Sequence, residues 1–364
     1  MKIKIQGFYY QVHSWSIVNQ NIGRALIKLG HQVDFIPTDE HLKRYSPPDL
    51  ESFIKPIPDK TYDCQISYTA PRNWKSYLSY GDKNRFAIWA FEYNGKGILP
   101  GFAKNHLHVD KVLPPSEFTK EVFINMGIPA DKMVVVPHGI NLEDYKSEKA
   151  IQLKTNKKHK ILLNIAQPHK RKAIHLALET FGKAFTNKDD VCLVAKVLLS
   201  NSKEMQFDVN FNDIYKDFQK KFPRHAEVEL VTSFIPDIVE LYNSCDINFS
   251  ATYAECWHLP SLEAITRGLI NVVPRYGGQL DFCNDDNSIL LEGTIKKADR
   301  THQYWGYSPY AVHFVIDTDK AAEKLQYAVR GYDSLKEKML PSMRLVAEKY
   351  TWENVAKQIL GLCK

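Results

Sequence analysis

Short apolar runs, each followed by a stretch whose apolar residues return at helical spacing, recur along both halves of the chain. That alternation points to parallel sheets covered by helices and admits few other folds. Residues 2–6 alternate as a strand, and the loop Gly7-Phe8-Tyr9-Tyr10-Gln11-Val12-His13-Ser14-Trp15-Ser16 follows. Val18, Ile22, Ala25, Leu26 and Leu29 then mark one face of a helix, Gly30 is placed to close it, and residues 32–36 form a second strand. Sheets built from such units bind their ligands beyond the C-terminal ends of the strands. The first loop lacks G-x-G-x-x-G, which disfavours a dehydrogenase. Pro47, Pro48, Pro56 and Pro58 mark an irregular connection to a strand at 64–68. Residues 85–91 read as a buried strand ending at Glu92. A carboxylate at such a tip could bind a hydroxyl or act as a base; an ordinary loop charge is the alternative. Residues 110–114 form a further strand, Ser116 caps a helix running to about Met126, and Gly127 stops it. Residues 133–136 read as another strand, and His138 as a turn residue rather than a ligand.

The second half repeats the pattern after a polar, basic connection at 147–160. A strand at 161–166 leads into Gln167-Pro168-His169-Lys170-Arg171-Lys172 and a helix with Ile174, Leu178, Phe181 and Phe185 on one face. Cations at a helix start oppose the local dipole, at a cost of a few tenths of a kcal/mol or so. A diphosphate would compensate them; a solvated basic turn is the alternative. Lys196, near the end of a strand at 191–197, reads as an edge or surface lysine, with a phosphate contact as the alternative. The strand 245–250 runs into Ala251-Thr252-Tyr253-Ala254-Glu255-Cys256-Trp257-His258-Leu259-Pro260-Ser261-Leu262-Glu263, where Pro260 and the spacing of Leu262, Ile265 and Leu269 start a helix. The amides near that start suit a phosphate, while Glu255 and Glu263 suit sugar or ribose hydroxyls. A helix start carrying two exposed glutamates accounts for the same residues. Gly277-Gly278 after the strand 271–274 allows close approach to a ligand or makes a tight turn. The Tyr- and Trp-rich stretch 301–310 reads as a lid or as aromatic packing.

A chain of 364 residues is long enough for two domains, and 44% hydrophobic with 25% charged residues is ordinary for a globular protein. A net charge of +6 suits an acidic small molecule or an anionic membrane surface and is too mild to imply nucleic acid. Six cysteines without C-x-x-C spacing argue for free thiols in a reducing compartment and against a zinc site. No apolar run reaches membrane-spanning length, and no export signal is visible, so the expected location is cytoplasmic, with peripheral membrane contact allowed by the charge.

In order along the chain, these pieces resemble family 4 of the retaining glycosyltransferases. The E-x7-E motif of that family matches Glu255 and Glu263, and Leu241-Tyr242-Asn243-Ser244-Cys245-Asp246 resembles the run before it. Pro115-Ser116-Glu117-Phe118-Thr119-Lys120, Met126-Gly127-Ile128 and Val136-Pro137-His138-Gly139-Ile140-Asn141 follow the family's order. Lys170-Arg171-Lys172 resembles its basic loop, and Tyr350-Thr351-Trp352-Glu353 the start of its terminal helix. The resemblance implies a GT-B fold, two Rossmann-like domains facing across a cleft. Residues 1–152 would form the acceptor side, 153–340 the donor side, and 341–364 a helix crossing back to the first domain. It implies a nucleotide-diphosphate sugar as donor, a glycan, lipid-linked glycan or other hydroxyl as acceptor, and no cofactor. Glu255, Lys172 and Glu92 would carry the chemistry. Lys170, Arg171, Lys172, Ile235, His258, Leu259 and Glu263 would hold the donor.

The sequence departs from the family at several places. Ala166 stands where an arginine is common, Cys256-Trp257-His258 replaces Gly-Phe-Gly and is expected to narrow the space at the sugar, and Glu92 replaces an N-domain histidine. The expected reaction is metal-independent transfer with retention, cations and helix amides stabilising the leaving diphosphate. A sugar-nucleotide epimerase of the same architecture and a catalytically silent sugar- or nucleotide-binding protein are the alternatives.

Overall fold

The computed structural model describes all residues except Val12, 43–45, 79–83, 96–99, 144–145, 199–208, Pro236 and 299–309. The aromatic stretch at 301–310 therefore lies, apart from Tyr310, outside the described residues. The chain divides into two compact units, Met1–Ile140 with Tyr350–Lys364, and Asn141–Lys349.

The first unit carries five strands, β1 (Lys2–Gly7), β2 (Gln32–Pro37), β3 (Cys64–Tyr68), β4 (Arg85–Ile88) and β5 (Lys111–Leu113). They are parallel throughout and ordered β2-β1-β3-β4-β5. Helix Ser14–Lys28 buries the periodic face that carries Val18, Ile22, Ala25 and Leu26, and Gly30 ends it with φ 84°. Ser116 accepts a hydrogen bond from the Thr119 amide at 3.0 Å and so caps helix Glu117–Asn125, which Gly127 follows at φ 99°. The expected strand at 85–91 is shorter, ending at Ile88, although Trp89, Ala90 and Phe91 stay buried. The expected strand at 133–136 is reduced to one bridge, Met133 to Val112.

Residues 350–364 belong to this unit through backbone pairing. Ile140 and Thr351 form a parallel bridge, with Ile140 N to Tyr350 O at 2.9 Å and Trp352 N to Ile140 O at 3.0 Å. Thr351 caps helix Trp352–Leu360 by accepting from Asn354 N at 3.2 Å, and Gln358 donates to Val135 O at 2.7 Å. His138 is buried beside Tyr68 and Trp352, and burial holds its imidazole down at about pKa 3, so it packs as a neutral ring.

The second unit carries β6 (His159–Ala166), β7 (Val191–Val197), β8 (Glu227–Val231), β9 (Ile247–Phe249), β10 (Ile270–Pro274) and β11 (Ser288–Leu291). They too are parallel, ordered β11-β10-β9-β6-β7-β8. β12 (Gly293–Lys297) and β13 (Val312–Ile316) pair separately as an antiparallel ribbon. The chain order reverses between β6 and β9, which makes their C-terminal ends the place where a ligand crevice opens. Lys196 is neither an edge nor a surface lysine. β7 lies between β6 and β8, the side chain is 6% exposed, and its ammonium donates to Ser233 O at 3.0 Å. Among the described residues no helix is long and apolar enough to cross a membrane.

Gly139 tests how the terminal segment docks. A Cβ there would lie 2.5 Å from Trp352 N and 2.6 Å from Thr351 C, backbone atoms that cannot rotate away. Gly139→Ala should destabilise the first unit by about 1–3 kcal/mol. A guanidinium titration should show a lower midpoint, and limited proteolysis should clip residues 350–364 faster than in the unaltered protein.

Candidate active site

Two loops meet at the reversal between β6 and β9. After β6 the chain leaves Ala166 at φ 51°, makes a tight turn over Lys170–Lys172, and reaches Ala173 at φ 45°, the residue that caps helix Ile174–Ala184. The three cations thus occupy a turn of their own, ahead of the helix where the spacing expected them. Left-handed backbone at two alanines is sterically unfavourable and needs surrounding contacts to hold it.

Those contacts come from the loop after β9. Tyr253 N donates to Arg171 O at 2.9 Å, and Arg171 Nη1 donates to Ala254 O at 2.8 Å. Glu255, 5% exposed, sits against both cations: its Oε1 is 2.7 Å from Arg171 Nη1 and 2.9 Å from Lys172 Nζ. Burial works against the charged carboxylate, but Arg171 and Lys172 outweigh it and hold the group far below the usual carboxylate range. Removing one partner from a buried group of this kind typically costs about 3–5 kcal/mol. On its other side Glu255 is fixed by Gly278 N donating to Glu255 O at 2.8 Å. Gly277, at φ 103°, lets that approach happen, since a Cβ would come within 2.9 Å of Glu255 O. The glycine pair therefore serves close packing on the glutamate's own backbone.

His258 precedes helix Leu259–Thr266 in the left-handed region, φ 68°, at the second glycine position of the resembled family. Its Nδ1 lies 2.6 Å from Ser261 Oγ. Burial lowers its pKa to about 4, with Glu255 pulling the other way, so it is neutral near pH 7. Among the described residues no group accepts from the amides of His258 and Leu259. Ser261 is held from behind by Asn271, whose Nδ2 donates to Ser261 O at 2.9 Å, and Asn248 donates to Asn271 Oδ1 at 2.7 Å. Sequence reading missed both asparagines; a buried amide inside an apolar strand was the available signal. Trp257 is 1% exposed and packs on Phe282, so of the expected crowding at the sugar only His258 remains at the crevice.

Glu263, the fifth residue of its helix, accepts from Tyr242 Oη at 2.7 Å, and Asn164 Nδ2 donates to the same phenol oxygen at 3.1 Å. Burial raises the Glu263 pKa against the pull of that hydrogen bond. Asn164, Lys172, His258, Pro260, Ser250 and Thr252 line one crevice, and Glu263 is linked to it by the hydrogen bonds that run from Asn164 through Tyr242.

Two further expected site residues of the second unit lie outside this crevice. Lys170 lines a different cavity of about 230 Å³ with His169, His175 and Tyr253. Ile235 packs on the core cluster around Leu241 and Tyr242. Glu92 is a partly buried residue of the first unit, beyond β4. Among the described residues one group has metal-ligating spacing, Cys192 with Glu227 and Glu229, at the N-terminal ends of β7 and β8, away from this crevice.

The buried histidine gives the second unit a defined acid sensitivity. An unfolded imidazole titrates near 6.5 and this one near 4, so stability is complete above about pH 6.5 and falls as pH drops towards 4. The full contribution is about 3 kcal/mol. Melting temperatures from pH 7.5 to 4.5 should fall steadily, and less steeply in His258→Asn; equal slopes would contradict the assignment.

No protein-family model matches the chain. A protein of Sulfolobus islandicus filamentous virus (isolate Iceland/Hveragerdi), provisionally named glycosyltransferase 45, is 22% identical over 360 residues, covering 94% of this chain and 90% of its own. A glycosyltransferase structure from Rickettsia africae ESF-5 superposes with a TM-score of 0.74 at 16% identity, over 100% of this chain and 97% of that one. Anabaena HepE in complex with UDP gives 0.70 at 12% identity over 99% of each. Sucrose-phosphate synthase from Thermosynechococcus elongatus gives 0.68 at 14%, over 99% of this chain and 98% of that one. The chain thus has the two-domain α/β fold, with parallel sheets, of the GT-B glycosyltransferase structures.

Proposed function

We propose that the protein is a glycosyltransferase whose second unit binds a nucleotide-diphosphate sugar and transfers the sugar to an acceptor hydroxyl with retention and without a metal ion. The observation that carries this reading is the convergence of Arg171, Lys172 and the amides of His258 and Leu259 at the reversal point of the sheet. Breaking the anomeric bond leaves negative charge on a diphosphate and positive charge on the sugar ring. Preorganised cations and backbone amides stabilise the former, and they stand where a divalent metal would otherwise serve. Both cations reach Glu255 through Oε1, and no described group reaches Oε2, which leaves that oxygen for a sugar hydroxyl. Glu263, held by Tyr242, suits the ribose. Anabaena HepE has been solved with UDP and with UDP-glucose, which supports a nucleotide sugar as the donor class. Retention rests on the resemblance to family 4, and no carboxylate is assigned as a covalent nucleophile.

Incubation with a panel of labelled nucleotide sugars tests the proposal. Donor-dependent release of nucleoside diphosphate, undiminished by EDTA, is expected, and proton NMR of the product should show the donor's anomeric configuration. Lys172→Met should lower kcat/KM by about a hundredfold or more, the scale for losing one preorganised charge-stabilising group. Glu263→Gln should act mainly through the donor KM. Sugar interconversion without transfer would indicate an epimerase, and saturable binding without turnover a silent binding protein.

A further inference from the structure

The cationic turn already holds an anion of the protein's own. Arg171 Nη1 and Lys172 Nζ share a single oxygen of Glu255, at 2.7 and 2.9 Å, and Glu255 is buried while its two partners are largely so. The backbone around it is pinned, Tyr253 N to Arg171 O at 2.9 Å and Gly278 N to Glu255 O at 2.8 Å, and the carboxylate can leave only by giving up its contacts of 2.7 and 2.9 Å with the two cations. Any phosphate that reaches Arg171 and Lys172 therefore meets a cluster already reduced to one net positive charge.

Resting on the donor-site reading above, we propose that Glu255 is a resident counterion that weakens diphosphate binding and speeds release of the diphosphate product. Before a ligand arrives, the carboxylate holds two long cationic side chains in one place, an ordering that the ligand need not then supply. Once the ligand is bound, the same charge repels it. The repulsion is unequal across the reaction, because a nucleoside diphosphate carries one more negative charge near neutral pH than the nucleotide sugar it comes from. A fixed carboxylate thus penalises product more than substrate, in a site buried enough for a unit charge to matter. This charge role is separate from hydroxyl binding by Oε2 and predicts an opposite result for the same residue: removing the charge should tighten one class of ligand.

Calorimetry with inorganic pyrophosphate, UDP, UDP-glucose and uridine tests this on the unaltered protein and on Glu255→Gln, which keeps an oxygen for both cations. Pyrophosphate and UDP should bind the variant about tenfold more tightly, UDP gaining more than UDP-glucose, uridine gaining nothing, and the gain shrinking with added salt. Pyrophosphate affinity that is unchanged or weaker in a variant of unaltered melting temperature would overturn the proposal, as would an equal gain for uridine. Should Glu255→Gln fail to fold, the charge-conserving pair Lys172→Met with Glu255→Gln replaces it. That double variant should bind pyrophosphate within about threefold of the unaltered protein. A drop to the level of Lys172→Met alone would overturn the counterion role. Pyrophosphate tightening in a protein that turns over no nucleotide sugar would retain the counterion and reject the transferase; turnover without tightening would do the reverse.

Discussion

Burying a carboxylate is unfavourable by several kcal/mol unless opposite charge is buried with it, and the second unit is arranged around meeting that cost at Glu255. The two cations come from the loop after β6 and the carboxylate from the loop after β9. Neither loop makes sense alone. Alanines at φ 51° and 45° flank a turn that is held by its own hydrogen bonds and by Arg171, whose carbonyl and guanidinium are tied to Tyr253 and Ala254. Glu255 is tolerated only because that turn delivers charge to it. The ion cluster thus couples two segments about 80 residues apart in sequence (Arg171 to Glu255), and the topology of the sheet makes them neighbours.

Much of the fold was legible because it rests on local periodicity and end signals. Ser116, Gly30 and Gly127 do what their residue types favour, and β1, β2, β3, β5, β7 and β10 coincide closely with the apolar runs that predict them, whereas β11 was not anticipated. Where the reading fell short, long-range contacts had overridden a local pattern. Trp89, Ala90 and Phe91 look like the rest of β4 but are buried beyond its end at Ile88. Lys196 reads as a surface residue because lysines usually are, yet its stem is buried in the sheet and its ammonium reaches the carbonyl of Ser233 in the loop after β8. At and beside the crevice, the residue types of Lys172, Glu255 and Glu263 were visible, while the arrangement that relates them was not. Tyr242, Asn164, Asn248 and Asn271 support the site through contacts that spacing does not encode. Lys170 shows the converse, since adjacency in sequence sent it to a different cavity from Lys172.

The two carboxylates of the E-x7-E spacing sit in opposed electrostatic surroundings. Glu255 is held ionised by cations, whereas Glu263 has only a phenol to offset its burial. One helix turn and a short loop separate them, and that is enough to give one residue type two chemical characters. His258 lies between, neutral and strained, its side chain engaged by Ser261 while the residue itself lines the crevice. A glycine would reach the same backbone angle with less strain but would give up the buried hydrogen bond.

The double fastening of Glu255, by the Arg171 turn in front and Gly277-Gly278 behind, bears on how the crevice can evolve. A segment stapled on both flanks cannot absorb an insertion or a bulkier neighbour by bending. Under the proposed function, changes in which sugar is accepted would have to come from side chains at the rim, with the anionic backbone of the donor read by a frame that stays the same from one specificity to the next.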